Sequence, residues 1–289
     1  MAGGLLAGCA DAAGPAGRPR DPSPGRGPAA TPRPAPLTSA LPSTAPPMSA
    51  PPARVTRAAI VARYGRTAPA GWGFTAPGVV TELPAAAGRA VALTFDACGG
   101  PGGGGYDRQL IDLLRAREVP ATLFLNARWI DANRARFDRL AADPLFEIAN
   151  HGTRHRPLSV AGRSAYGIAG TRDAGEVYDE VAGNHDKLTA LLGRPPRFFR
   201  SGTAYLDDVA ARIVTDLGER FAGFGVNADA GATFTPAQVC RAALTATAGS
   251  VVIGHMNHPA GGTAEGMARA LPALLASGHR FVRLSDAVH

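Results

Sequence analysis

The chain has 289 residues and a formal net charge of +7. The excess charge lies in residues 1–70, which hold eight arginines against two aspartates, so the remainder is nearly neutral and has no basic stripe with interleaved aromatic residues. We therefore expect no nucleic-acid partner, and no run approaches the ~20 apolar residues of a membrane-spanning helix.

Residues 1–9 end in LLAGC, which resembles the lipid-attachment box of bacterial lipoproteins although no basic residue precedes it. Residues 10–52 are rich in proline and small polar residues, which cannot bury enough apolar surface to offset the entropy of ordering, and they predict a disordered tether. We interpret residues 1–9 as a truncated lipoprotein signal that anchors the protein through lipidated Cys9, with an incidental cysteine as the alternative. The expected location is exported: the outer face of the bacterial cytoplasmic membrane, the periplasm or the cell wall.

Residues 53–88 form an N-terminal extension, and a regular pattern begins at Arg89. Short β-rich apolar runs predict strands at Ala90–Phe95, Ala121–Leu125, Phe146–Ala149, Phe198–Arg200, Phe221–Asn227, Ser250–Gly254 and Arg280–Leu284. Amphipathic stretches predict helices near Arg108–Arg117, Arg134–Ala142, Gly175–Leu192, Asp207–Leu217, Pro236–Thr247 and Gly266–Ser277. This alternation predicts a parallel α/β sheet or barrel, so we assign residues 89–289 to one domain.

Polar side chains of the types used in catalysis follow the predicted strands. Asp96 follows the first strand, His151 the third and Asp229 the fifth, while Arg200 ends the fourth and His255 follows the sixth. In parallel α/β folds the carboxyl ends of the strands share one edge, where catalytic groups gather. We therefore expect these five side chains to meet at one site.

Each of these residues also has a purely structural interpretation. Asp96 suits either a turn or helix cap, or a general base with restricted solvation. His151 and His155 are spaced for one metal ion if the backbone turns there, but the segment lacks the glutamate of HExxH, which excludes a metalloprotease. Residues 99–105 are almost all glycine without the GK[ST] ending of a phosphate loop, so they predict a flexible loop that lets substrate approach closely.

The other two cysteines, Cys98 and Cys240, are too few for a disulfide scaffold and have no CxxC metal spacing. Export would permit one bridge between them, and two unpaired thiols are the alternative. Neither cysteine is included among the candidate site residues.

Five segments, in order between Arg89 and Leu284, resemble the motifs of the polysaccharide deacetylases, carbohydrate esterase family four, which share the NodB-homology domain. They are Thr94-Phe95-Asp96-Ala97 for a TFDD-type motif, His151 to His155 for H-[S/T]-x-x-H, Arg200 to Thr203 for R-x-P-Y, Asp229 for a fourth motif, and Val251 to His255 for a strand ending in histidine. The resemblance implies a distorted (β/α) barrel of about seven parallel strands, with residues 89–289 as the catalytic domain.

The activity implied by the resemblance is hydrolysis of the linear N-acetyl amide bond of N-acetylglucosamine units in peptidoglycan, chitin or a related acetylated glycan. Asp96 would act as general base, oriented and kept ionised by Arg200. His255, supported by Asp229, would protonate the departing amine. A backbone N–H near Thr203 would help to hold the oxyanion.

The resemblance also implies a divalent metal ion bound by His151 and His155, with zinc expected and cobalt, manganese or nickel as alternatives. Ala97 stands where the family usually has a metal-binding carboxylate, so one protein ligand is missing from the motif. Asp107, at the far end of the glycine-rich loop, is the predicted replacement, because an open loop could return its carboxylate to the ion.

Two further departures leave choices open. Gly202-Thr203 replaces Pro-Tyr of the third motif, and Tyr205 or Trp129 is the predicted aromatic platform for a sugar ring. His258 lies close to His255 in the chain, but the position of His255 at the strand end favours His255 as the acid.

Two other functions remain as alternatives. One is a non-catalytic glycan-binding relative, which Ala97 makes credible and which would bind wall polymer without releasing acetate. The other is an amidohydrolase or esterase that acts on another acetylated substrate such as acetylated xylan, because the catalytic groups do not by themselves select a substrate.

Overall fold

The computed structural model describes residues 55–289, so the interpretations of residues 1–9 as a signal and 10–52 as a tether lie outside the described residues. The strands are β1 (Trp72–Gly73), β2 (Ala90–Ala97), β3 (Ala121–Leu125), β4 (Phe146–Asn150), β5 (Phe198–Phe199), β6 (Leu206–Asp207), β7 (Arg220–Phe221), β8 (Val226–Asn227), β9 (Val251–His255) and β10 (Arg280–Val282). The helices are α1 (Arg57–Tyr64), α2 (Arg108–Ala116), α3 (Ala127–Ala132), α4 (Arg134–Ala141), α5 (Ala174–Leu192), α6 (Asp208–Asp216), α7 (Pro236–Ala243), α8 (Thr263–Ala276) and α9 (Leu284–Ala287).

The main sheet is parallel throughout. Seven strands follow the order β7-β5-β4-β3-β2-β9-β8, and β10 pairs with the start of β2. The short strands β1 and β6 form a separate antiparallel pair. With helices between most successive strands, this is the predicted α/β architecture, a distorted barrel of about seven parallel strands.

The predicted fifth strand, residues 221–227, is divided into β7 and β8, which lie at opposite ends of the strand order. One strand cannot pair at both edges of a sheet, so the chain crosses from one edge to the other within this segment. The N-terminal extension spans the same gap: the N–H of Val80 donates to the carbonyl of Phe221 (2.9 Å), and that of Leu83 donates to the carbonyl of Gly249 (2.7 Å). The extension therefore helps to close the barrel.

The central strand β2 is buried along its whole length and sends alternate side chains to two different layers. Val91, Leu93, Phe95 and Ala97 belong to the apolar cluster that the outer helices cover. The opposite face contributes Ala90 and Ala92 to the interior of the barrel. Asp96 continues this second face and therefore ends at the open edge of the sheet, away from the helix layer.

Both cysteines between residues 55 and 289, Cys98 and Cys240, are free thiols, so the predicted alternative of two unpaired cysteines holds and the bridge does not. Within the same range no helix has the length and hydrophobicity needed to cross a lipid bilayer.

Candidate active site

The carboxyl ends of the parallel strands open into a cavity of about 630 Å³. Asp96 and Cys98 at the end of β2, His155 after β4 and His255 at the end of β9 all line this cavity, together with part of the glycine-rich segment 99–103. Residues far apart in the chain meet there because adjacent parallel strands end at the same level: Asp96 and His255 are direct register partners. The expected convergence at one sheet edge is thus present in the structure.

Asp96 forms an ion pair with Arg200 that is closed off from solvent. Arg200 Nη1 donates to Asp96 Oδ1 over 2.7 Å, and the two side chains are 0% and 4% exposed, respectively. Burial by itself would raise the pKa of Asp96, but the charge of Arg200, helped by His151 and His255, holds that pKa below its usual value. Asp96 is therefore ionised at neutral pH, and its other oxygen, Oδ2, lies 3.6 Å from His151 Nε2.

His255 is fixed in place by Asp229. The two oxygens of Asp229 receive the ring and the backbone of His255: Nδ1 lies 2.9 Å from Oδ1, and the backbone N–H donates to Oδ2 over 2.7 Å. The Thr263 hydroxyl also donates to Oδ2, over 2.8 Å. Burial would lower the pKa of His255, but hydrogen bonds with Asp229 and Cys98 outweigh it and raise that pKa well above its usual value. His255 is therefore a protonated donor at the cavity wall.

The two histidines of the HxxxH segment come together, as the spacing predicts. Their ring centroids lie 4.8 Å apart in an edge-on arrangement. The Nδ1 atom of His151 is 2.9 Å from the backbone carbonyl of Arg200. Because a carbonyl only accepts, Nδ1 donates to it, and Nε2 is the ring nitrogen that faces Cys98, 3.7 Å away.

Cys98 lies beside these two histidines, although sequence interpretation left it out of the site. The ligand atoms of Cys98, His151 and His155 all lie within 4.8 Å of one another. Burial would raise the pKa of the Cys98 thiol, but hydrogen bonds with His151, His155 and His255 lower it well below its usual value. The missed signal was the two-residue strand period, which places positions 96 and 98 on the same face.

The loop that carries His155 is held by a buried glutamate on α5. Both oxygens of Glu180 accept the backbone N–H of Arg154, at 2.9 and 3.0 Å, and Oε1 also accepts that of Arg156 at 3.2 Å. These bonds flank His155, whose φ of 61° is unusual for a residue with a side chain. A Cβ at Gly152, where φ is +76°, would lie 2.5 Å from Glu180 Oε1, so a larger residue there would require Glu180 to move.

Gly202 packs against the other side of the same loop. A Cβ at this position would lie 2.3 Å from the carbonyl carbon and oxygen of His155, so the backbone there leaves room for glycine alone. Thr203 follows with a φ of 70° and lines the cavity. The glycine that replaces the expected proline is therefore needed to let the two loops meet.

Asp107 does not reach the two histidines. It is the N-cap of α2, where its Oδ1 accepts the N–H of Leu110 over 3.0 Å, and its own N–H donates to the carbonyl of Met256 over 2.7 Å. Its side chain caps the helix, because backbone N–H groups of the first turn have no partners within the helix. The structure therefore does not bring Asp107 to the imidazoles, and Cys98 occupies the place beside them.

The choices that the sequence left open are decided by packing. Trp129 is fully buried and donates its indole N–H to the carbonyl of Gly105 over 2.7 Å, so it supports the glycine-rich loop and cannot be a platform for a sugar ring. His258 lines the cavity, but its Nε2 faces the side-chain amide of Asn257 at 3.2 Å. The carboxylate of Asp229 pairs with His255, which favours His255 as the proton donor.

An aromatic wall of Phe74, Tyr166 and Phe224 borders the cavity. Tyr205 stands behind it, with its ring centroid 4.3 Å from that of Phe74 and 5.6 Å from that of Tyr166. Tyr166 is 73% exposed, although aromatic rings of soluble proteins are usually more buried. The predicted Tyr205 thus backs the wall rather than forming its surface, and Phe74 comes from the N-terminal extension.

The family model described as polysaccharide deacetylase matches residues 84–222. No curated protein is significantly similar to the chain in sequence.

Solved structures with the same fold include members of carbohydrate esterase family 4. A pseudoenzyme of this family from Bacillus anthracis aligns with a TM-score of 0.58 and 20% identity over 70% of this chain and 66% of its own, so the chain spans about two thirds of its length. A peptidoglycan N-acetylglucosamine deacetylase aligns with a TM-score of 0.60 and 21% identity over 73% and 92% of the two chains. An acetyl xylan esterase from Clostridium thermocellum, in complex with a cobalt ion, aligns with a TM-score of 0.56 and 21% identity over 68% and 89%.

Proposed function

Because the chain belongs to the polysaccharide deacetylase family, we propose that it is a metal-dependent hydrolase that removes N-acetyl groups from an amino-sugar polymer, namely peptidoglycan, chitin or a related glycan. The observation that carries this proposal is the meeting of an ionised Asp96, a protonated His255 and the His151–His155 pair around one cavity. Asp96 would serve as the base and His255 as the acid of amide hydrolysis, and the two histidines would bind the metal ion that polarises the acetyl carbonyl.

The proposed proton path uses the protein's own side chains. Arg200 holds Oδ1 of Asp96, which leaves Oδ2 to accept a proton from the water that attacks the acetyl carbonyl. His255 comes from the neighbouring strand and donates a proton to the sugar nitrogen as the C–N bond breaks. The products are acetate and a free amine. Asp229 keeps the imidazole oriented through both steps.

The donor set next to these groups fits a divalent metal ion. The Nδ1 atom of His151 is engaged by the carbonyl of Arg200, so Nε2 is the nitrogen left for a metal ion, and the ligand atoms of Cys98, His151 and His155 all lie within 4.8 Å of one another. A metal bound there would supply Lewis-acid polarisation of the acetyl carbonyl and would acidify the attacking water. The reacting groups Asp96 and His255 lie at the same cavity wall, so the bound acetyl group can face all of them.

The test is acetate release by the purified full-length protein from peptidoglycan, acetylated chitooligosaccharide and acetyl-xylan, with metal content measured on the same sample. We expect metal-dependent acetate release from an amino-sugar substrate. Replacing the general base, Asp96→Asn, is expected to reduce the rate by about 10²–10⁴-fold, because an amide cannot accept the proton.

Two results would contradict the proposal and identify the alternative. Binding of glycan by a metal-loaded protein without acetate release would indicate a non-catalytic relative, as the pseudoenzyme among the structural neighbours illustrates. Release from acetyl-xylan alone would indicate an esterase.

The expected export and lipid anchoring through Cys9 would place the enzyme next to wall polymer. The anchoring is tested by comparing the amount of protein in the membrane fraction for wild type and Cys9→Ala.

A further inference from the structure

We propose that Cys98 binds the metal directly through its sulfur and, with His151 and His155, forms a Cys-His-His centre that selects zinc or another thiophilic ion over harder divalent ions. This inference rests on the metal-dependent function proposed above and specifies the chemistry of its metal site. It explains how the chain functions without a carboxylate at position 97.

The strand geometry decides which residue can reach the ion. Ala97 lies on the helix-covered face of β2, where it is fully buried in an apolar cluster and pairs in register with Leu125 of the same cluster. An alanine offers no ligand atom, so position 97 contributes nothing to an ion in this chain. Cys98 is the next residue and returns to the face of Asp96, so it is the first side chain after the base that opens on the cavity.

The distances suit coordination by sulfur. The Sγ atom of Cys98 lies 3.7 Å from Nε2 of His151. In a tetrahedral zinc site with Zn–S near 2.3 Å and Zn–N near 2.05 Å, sulfur and nitrogen are separated by about 3.6 Å. Cys98 and His151 are therefore spaced as they would be with an ion between them, and the ligand atoms of the full set lie within 4.8 Å of one another.

The surroundings of the cluster hold its members in orientation. The backbone carbonyl of Arg200 fixes the tautomer of His151, and Glu180 holds the strained backbone on which His155 is carried. A carbonyl partner on the other ring nitrogen, as His151 has, is typical of metal-binding histidines. Cys98 itself follows a fully buried strand, so its position is as well defined as that of Asp96.

Sulfur changes the metal preference of such a site. Thiolate is a soft ligand that favours zinc over ions such as manganese or magnesium, which prefer oxygen, whereas an aspartate in the same place would accept the harder ions as well. Three protein ligands leave a position open for water or substrate, as in catalytic zinc sites. A centre of this kind is thus compatible with hydrolysis.

The experiment is a cobalt titration of the full-length protein after its metal has been removed by chelation. A cobalt–thiolate bond produces an intense charge-transfer absorption in the near ultraviolet that nitrogen and oxygen ligands do not produce. We expect this absorption to saturate at one equivalent in the wild type and in the control Cys240→Ser, and to be absent in Cys98→Ser. We also expect Cys98→Ser to weaken zinc binding by at least about 100-fold, more than the 10–100-fold effect of losing an outer partner.

A second variant, Cys98→Asp, keeps the inference testable if the serine variant folds poorly. It should bind metal without the charge-transfer absorption and should shift the zinc-over-manganese preference toward manganese by about 10-fold or more. An unchanged cobalt spectrum in Cys98→Ser, or an acetyl thioester on Cys98 of metal-free protein, would overturn the inference; the second result would make Cys98 a nucleophile. The cobalt spectrum needs no substrate, so it tests the inference about Cys98 independently of acetate release.

Discussion

Arg200 and Asp96 form a buried ion pair in which the guanidinium also ties down the backbone around it. While Nη1 donates to Asp96 over 2.7 Å, Nε donates to the carbonyl of Ala222 (3.0 Å) and Nη2 to that of Gly223 (2.9 Å). The last two residues belong to the segment that crosses between the edges of the sheet. One side chain therefore orients the proposed base and holds the closure of the barrel.

This pair predicts different outcomes for two substitutions of Arg200. Arg200→Met leaves the carboxylate of Asp96 buried without a partner and should destabilise the fold by about 3–5 kcal/mol, measured by denaturant unfolding. Arg200→Lys keeps the charge but cannot make the three directed bonds, so we expect kcat to fall by about 100-fold with a smaller loss of stability. A lysine variant with wild-type kcat would show that charge alone is sufficient.

Glu180 should affect metal binding although it lies outside the set of proposed ligands. In Glu180→Gln the amide NH₂ would face backbone N–H groups that now donate to a carboxylate, so the His155 loop loses part of its support. We expect zinc affinity to fall by about 10-fold or more, measured by competition with a chelating dye. The control is Glu265→Gln on the surface of α8, which should leave zinc affinity unchanged; equal affinities for both variants would contradict a positioning role for Glu180.

Gly202 should not tolerate even a methyl group. In Gly202→Ala the new Cβ would meet the His155 backbone at 2.3 Å, so one of the two loops must move. We expect a loss of about 1–3 kcal/mol in stability together with weaker metal binding, measured by thermal unfolding and metal titration. Gly71→Ala is the matched control, since a Cβ at Gly71 would meet nothing within 4 Å. Unchanged metal binding in Gly202→Ala would show that His155 adapts to the shift.

Glu219 gives the fold a pH dependence that is separate from the metal site. Its side chain is fully buried, and burial raises its pKa to about 7, against the hydrogen bonds of His185 Nδ1 (2.8 Å) and Asn150 Nδ2 (2.9 Å). Between the unfolded pKa of about 4.5 and the folded value, the native state binds more protons than the unfolded chain, so this group's contribution to stability declines as pH rises.

Glu219→Gln removes this titration and should therefore gain stability relative to wild type as the pH rises from 4.5 to 7, by on the order of 1–3 kcal/mol. The measurement is denaturant unfolding of both proteins across that range. His185 is the titratable group that faces Glu219, and the surface variant Glu265→Gln serves as control. A stability difference that stays constant with pH would contradict the raised pKa.

Tyr166 should contribute to glycan binding and not to chemistry. Its ring is exposed on the aromatic wall, so Tyr166→Ala removes contact area for a sugar ring while it leaves Asp96, His255 and the metal site intact. We expect KM for a soluble oligosaccharide to rise by about 3–10-fold with kcat nearly unchanged, as for the loss of uniform binding. Val61→Ala, an exposed apolar residue on α1, is the control. A fall in kcat with constant KM would place Tyr166 in the reaction itself.

Periodicity was sufficient to predict a parallel α/β sheet or barrel and the edge at which the site lies, because the two-residue period of strands and the common direction of parallel strands are local properties of the chain. Asp96, Arg200 and His255 were placed correctly at strand ends for this reason. The same period contained the signal for Cys98, because position 98 lies two residues after Asp96 and therefore on the same face.

Other features depended on residues that are distant in sequence. Whether Asp107 would cap a helix or bind a metal depended on where α2 begins relative to the cavity, and the need for glycine at position 202 depended on the approach of the His155 loop. The pKa values of Asp96 and His255 are set by Arg200 and Asp229, which lie 104 and 26 residues away in the chain. The sequence by itself determined which groups could take part in the reaction; only the tertiary structure decided which of them meet, because contact, burial and electrostatic interaction act through space.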